Sequence, residues 1–160
     1  MPIKVGDTIP NVTLKCVTSE GAKDVSTEEF FAGKKVVMFA LPGAFTPTCS
    51  AKHLPGFVEK AGEIKSKGVD TIACLSVNDF FVMEAWGKAH DALDKIALLA
   101  DGNGELTRAL GLGFDASQFG MGTRSQRCAV IVEDGVVKKL DVEAPSKFEV
   151  SSAEAVLRAL

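Results

Sequence analysis

The chain has little of what usually advertises a partner. None of its apolar stretches approaches the length that spans a bilayer. Positive charge is in no excess: 18 basic residues stand against 21 acidic ones, for a net charge of −3. That balance argues against nucleic acid or an acidic membrane surface, which both require clustered positive charge. The four cysteines, Cys16, Cys49, Cys74 and Cys128, form no CxxC pair. Neither a dithiol motif nor a zinc knuckle is therefore spelled out, and a disulfide scaffold is not expected in a reducing compartment. No Cys or His elsewhere offers ligand spacing to His53, so neither a metal nor a cofactor is expected. Residues 1–7 carry no signal-peptide core and no Arg-rich transit pattern, which makes the cytoplasm the expected compartment, with a mature organellar form as the alternative. Repeats, low-complexity tracts and linkers are also missing, so the expectation is a single domain over residues 1–160.

What is present is an alternation of strand and helix signals in a chain that is 46% apolar. Val12–Val17 and Ala22–Val25, split by Ser19-Glu20-Gly21, predict an N-terminal hairpin, and Thr27–Phe31 one helical turn. Lys35–Leu41 and Thr71–Val77 are short apolar runs of the kind buried on both faces of a sheet. Ser50–Lys67 predicts a helix with a kink at Pro55. Asn78 or Asp79 caps a further helix whose Val82, Met83, Trp86 and His90 share a face. Ile96–Ala100 predicts a strand and Glu105–Leu110 a short helix stopped by Gly111. Ala129–Glu133 and Val136–Val142 flank the hairpin signal Asp134-Gly135, and Ser151 caps a last helix running to Leu160. The pattern predicts a three-layer α/β domain with a mixed central sheet.

Chemistry concentrates in Pro42-Gly43-Ala44-Phe45-Thr46-Pro47-Thr48-Cys49. Thr46 is a natural N-cap and Pro47 a natural first helical residue, which places Cys49 in the first turn. Unpaired N–H groups and the positive end of the helix dipole there favour thiolate over thiol. The Thr46 hydroxyl has two open readings: a plain cap on the Cys49 N–H, or a group that also donates to the sulfur or to a bound oxygen. Pro42 and Pro47 stiffen the turn and shield the sulfur. Arg124 and Arg127 stand at the mouth of a predicted strand and are either surface charges or fixed donors for a thiolate. His53, four residues after Cys49, is read as a packing or hydrogen-bonding neighbour of the thiol. Asp101–Leu112 fails as a calcium loop because Leu106 and Leu112 stand where Gly and Glu are required. Gly111–Ala116 follows a helix rather than a strand and fails as a dinucleotide fingerprint.

These residues resemble the peroxiredoxin active-site loop, and His53-Leu54-Pro55-Gly56-Phe57 extends the likeness toward the type II, peroxiredoxin 5-like branch. The match continues through Cys74–Asp79, Ala85–Lys88 and Arg124–Arg127 to Ser151–Glu154, nearly the whole chain. The resemblance implies a thioredoxin-like fold with peroxiredoxin insertions. It implies that Cys49 attacks a peroxide O–O bond and becomes a sulfenic acid. Thr46 then orients sulfur and peroxide, Arg127 holds thiolate and departing oxygen, Arg124 assists it, and Pro42 and the Thr48 and Cys49 N–H groups line the substrate site. It further implies a homodimer packed through loops near the site, with Phe45 and Phe119 as candidate contacts. Cys128 is the last cysteine, and Ser151 and Ser152 occupy the region where the animal enzymes carry a resolving cysteine. Cys74 is the remaining secondary thiol, in a predicted buried strand. The expectation is a one-cysteine cycle in which glutaredoxin with glutathione, or thioredoxin, reduces the sulfenic acid. The rival readings are a peroxide sensor that passes oxidation to a partner, and a binding module with an inert Cys49.

Overall fold

In the computed structural model, residues 2–160 are described, and seven strands form one mixed sheet. The hairpin β1 (Thr13–Thr18) and β2 (Gly21–Ser26) opens the chain and is followed by helix α1 (Thr27–Phe31), capped by the Ser26 hydroxyl. Strands β3 (Lys35–Ala40), β4 (Thr71–Ser76) and β5 (Ala97–Ala100) run parallel at the centre. Parallel neighbours need crossovers. Helix α2 (Leu54–Ser66) supplies the first, and α3 (Phe80–Ala89), capped by Asp79 as expected, supplies the second. After α4 (Glu105–Ala109), the segments β6 (Gly113–Asp115) and β7 (Thr123–Ser125) pair as a small separate ribbon. The hairpin β8 (Cys128–Glu133) and β9 (Val136–Val142) adds antiparallel to β3, which completes the sheet order β2-β1-β5-β4-β3-β8-β9. Its two-residue turn holds Asp134 at φ 48° and Gly135 at φ 77°, the left-handed pair that a tight hairpin demands.

Side-chain alternation along the buried strands sorts residues between two cores. Val37, Phe39 and Leu41 join Ile72 and Cys74 on the face covered by Leu54 and Phe57 of α2, Met83 and Trp86 of α3, and Val156 of α5 (Ala153–Ala159). Val36, Met38 and Ala40 join Ala73, Leu75 and Cys128 on the opposite face, under Phe31 of α1 and Leu106 and Leu110. Strands buried on both sides read as unbroken apolar runs for this reason. The expected three-layer, thioredoxin-like α/β architecture is thus realised.

Two local expectations are corrected. Residues 50–67 do not form one helix kinked at Pro55. Cys49–His53 makes a π-helical turn, with the Leu54 N–H on the Cys49 carbonyl, and α2 begins after it. Pro55 has no N–H to continue a regular ladder, and the wider turn just before it absorbs that loss. The final helix is capped by Ser152, whose hydroxyl accepts from the Ala155 N–H, because the Ser151 hydroxyl is engaged by Glu143. The short β6–β7 ribbon had no counterpart in the sequence pattern, since three residues carry no periodicity.

Candidate active site

Cys49 lies directly beyond the C-terminal end of β3, in the first turn after Pro47. The Ser50 N–H closes that turn on the Thr46 carbonyl at 2.9 Å. The approach from β3 is tight: a Cβ on Gly43 would stand 2.6 Å from Arg124 Nη1, so a larger residue there displaces that guanidinium. Thr46 does not cap the Cys49 N–H. Its hydroxyl donates to the Gly43 carbonyl at 2.7 Å, which leaves the oxygen's lone pairs as its free hydrogen-bonding face. The Cys49 side chain is fully buried (0% exposed), as a sulfur shielded from water requires. The more open clefts of the surface lie elsewhere, one between β1, β2 and the Asp101–Glu105 turn and another at the N-terminus, and neither touches Cys49.

Arg127, just before β8, spans the sulfur and a histidine with one guanidinium. Its Nη2 donates to Cys49 Sγ at 3.2 Å and its Nη1 to His53 Nδ1 at 2.8 Å. The other ring nitrogen, Nε2, lies 2.9 Å from the Ser151 carbonyl. A carbonyl only accepts and a guanidinium only donates, so the proton sits on Nε2 and the Nδ1 lone pair faces Arg127. Burial, with the Arg127 charge adding to it, pushes the His53 pKa down to about 3. His53 is therefore a neutral brace for Arg127 rather than a base. Phe148 packs edge-on to the ring at 5.0 Å and lies 5.8 Å from the guanidinium.

Arg124, on β7, makes no hydrogen bond to sulfur. Its Nη1 donates to the Pro42 carbonyl at 3.1 Å and its Nε to the Met121 carbonyl at 3.0 Å, tying the active-site loop to the loop before β7. The Ala44 N–H donates to Asn78 Oδ1 at 2.9 Å and ties the same loop to the start of α3. Phe45, exposed and at φ 61°, stands at the rim.

The remaining thiols lie apart from this arrangement. Cys74 is fully buried on the Cys49 side of the sheet, where burial, reinforced by Cys49, holds its pKa well above the usual range. Cys128 follows Arg127 but turns to the other core, and burial pushes its pKa up to about 12. Burial also raises the Cys16 thiol. All four cysteines are free thiols. Glu143, Ser151 and Phe148 were not among the expected site residues. A carboxylate received by a loop leaves no periodic mark, whereas the four-residue spacing of His53 from Cys49 did point to a neighbour of the thiol.

A cysteine sulfur at a helix start, gripped by an arginine on a thioredoxin-like sheet, is the arrangement of thiol-dependent redox proteins. Comparison narrows it. The family model described as Redoxin matches residues 4–157. The chain is 52% identical over 162 residues to Peroxiredoxin-2E, chloroplastic, of Arabidopsis thaliana, covering 99% of this chain and 69% of that protein. It is 49% identical over 160 residues to Peroxiredoxin-2B of the same plant, covering 99% of each. The crystal structure of reduced Prx3 in complex with H2O2 from Vibrio vulnificus superposes with a TM-score of 0.93 at 55% identity, covering 98% of each chain. The chain belongs to the peroxiredoxins, in their type II, peroxiredoxin 5-like branch. Peroxiredoxins are thiol peroxidases, and so is this protein.

Proposed function

We propose that Cys49 is the peroxidatic residue for hydrogen peroxide and small alkyl hydroperoxides. The hydrogen bond of Arg127 Nη2 to Sγ carries this reading, because it sets a permanent cation against the sulfur. Sγ attacks one peroxide oxygen, the O–O bond breaks, and Cys49 becomes a sulfenic acid while the second oxygen leaves with a proton as water or alcohol. Thr46, its proton committed to Gly43, accepts a hydrogen bond from the incoming peroxide. The Arg127 guanidinium meets the charge that develops on the departing oxygen. First-turn N–H groups of Thr48 and Cys49 serve as further donors, and Pro42, held through its carbonyl by Arg124, walls off water.

With Cys74 sealed in the core, the cycle runs on one cysteine, and glutaredoxin with glutathione, or thioredoxin, reduces the sulfenic acid. Four unbridged thiols suit a reducing compartment, and the location proposed is the cytoplasm. A homodimer fits the exposed Phe45, Phe81 and Phe119, which sit on or beside the loops tied together by Arg124 and Asn78. The test is peroxide consumption measured side by side with glutaredoxin/glutathione and with thioredoxin, for the parent and Cys49→Ser. Sustained turnover that vanishes in the variant supports the proposal. A single stoichiometric oxidation with neither reductant supporting turnover favours a sensor.

A further inference from the structure

Glu143 directly follows β9 and is 7% exposed, rare burial for a carboxylate on a loop. One of its oxygens, Oε2, accepts four hydrogen bonds: from the N–H groups of Glu149 (2.7 Å), Val150 (2.9 Å) and Ser151 (2.8 Å), and from the Ser151 hydroxyl (2.7 Å). Its own N–H donates to the Arg127 carbonyl at 2.9 Å. From Ser151 the path continues through its carbonyl to His53 Nε2, across the ring to Nδ1, and on to Arg127 Nη1. The bonds form a closed ring that leaves Arg127 at its backbone and returns at its guanidinium. Arg127 Nη2 is directed out of that ring and donates to Cys49 Sγ.

We propose that Glu143 is a positioning residue for the peroxidase reaction, acting on Arg127 through Ser151 and His53. By gathering residues 149–151 onto one oxygen it fixes where the Ser151 carbonyl stands. That carbonyl decides which histidine nitrogen bears the proton, and the other nitrogen is the acceptor that keeps the guanidinium turned toward sulfur. Without the carbonyl, the ring can rotate or present an N–H to Arg127, and two donors then face each other. Phe148 belongs to the same gathered loop and packs on both His53 and Arg127, so loosening the loop removes a packing constraint at the same time. The carboxylate is held as an anion in this role: burial pushes its pKa up, but the hydrogen bonds from Ser151, Glu149 and Val150 outweigh that and leave it below the usual value.

The inference rests on the reading of Cys49 as the reacting thiol. The experiment compares Glu143→Ala, Glu143→Gln, His53→Gln, His53→Asn and the double variant Glu143→Ala/His53→Gln with the parent. Three readouts are taken on each: the second-order rate of oxidation by hydrogen peroxide, the pH midpoint of Cys49 alkylation, and the melting temperature. Misplacing a reacting group by about 1 Å can cost on the order of a hundredfold. Glu143→Ala is expected to slow oxidation by roughly tenfold to a hundredfold and to move the alkylation midpoint upward. Glu143→Gln keeps an accepting oxygen and recovers most of the rate. His53→Asn places an oxygen near the Nδ1 position and loses less than His53→Gln, which restores only the donor to Ser151. The double variant is no slower than the worse single one, because both changes break the same ring. A Glu143→Ala protein with a lowered melting temperature but an unmoved midpoint and rate overturns the proposal, since the loop is then merely structural. Full additivity in the double variant also overturns it. Should Glu143→Ala not fold, the Glu143→Gln and His53 pair decides alone: equal losses in His53→Asn and His53→Gln overturn it. If Cys49→Ser still consumes peroxide, it is the parent reading that fails.

Discussion

Trp86 donates its indole N–H to the Ser50 hydroxyl at 2.9 Å, and Ser50 is the residue next to Cys49. The only tryptophan of the chain is thus fully buried and wired to the turn that carries Cys49. If Cys49 is the sulfur that peroxide oxidises, stopped-flow fluorescence after peroxide addition should show a change that Cys49→Ser abolishes. Ser50→Ala strands the buried N–H and should lower the unfolding free energy by about 1–3 kcal/mol, measured by denaturant titration.

The two-armed grip of Arg127 makes lysine a poor substitute. An ammonium cannot reach Sγ and the His53 lone pair in one geometry. Arg127→Lys should reduce the rate of oxidation by hydrogen peroxide by roughly a hundredfold or more. Thr46→Val, which removes the oxygen proposed to receive the peroxide, should lose activity while Thr46→Ser keeps most of it. Single-turnover kinetics on the three variants check the order.

Acid should destabilise the protein through His53. Its folded pKa of about 3 lies below the ordinary 6.5, so the unfolded chain binds a proton that the native one refuses. The native state is unpenalised above about pH 6.5 and loses stability as pH falls from there toward 3, by up to about 1.4 kcal/mol per pH unit. Chemical denaturation at pH 7.5, 6 and 5 should show this slope, and a His53→Phe variant should flatten it.

Cys74 should be dispensable for chemistry. Cys74→Ser is expected to leave the first oxidation unchanged and to keep turnover with the favoured reductant, at some cost in melting temperature from a hydroxyl in an apolar core. Loss of turnover with a normal first oxidation would assign Cys74 the resolving role instead.

Association should depend on the exposed rim. Phe119→Asp combined with Phe81→Asp should lower the mass seen by light scattering toward that of one 16.9 kDa chain, without altering the far-ultraviolet circular dichroism.

The sheet was legible because its central strands are apolar on both faces: Val36 to Leu41 could hardly be anything else. Cys49 was legible because Thr46-Pro47 is a helix start whatever the surroundings. The direction of the Thr46 hydroxyl was not, since it depends on where the Gly43 carbonyl points, in a loop whose Pro42 carbonyl is held by Arg124 from a distant ribbon. The choice between Ser151 and Ser152 as cap turned on Glu143, eight residues upstream of Ser151, whose burial no local pattern announces.

Arg127 and Cys128 are adjacent in the chain yet face different sides of the sheet. One layer of backbone thereby partitions the molecule into a chamber that holds Cys49 and a far one that holds Cys128. The far chamber can be rebuilt for heat tolerance without retuning the sulfur, and a protein engineer would begin there.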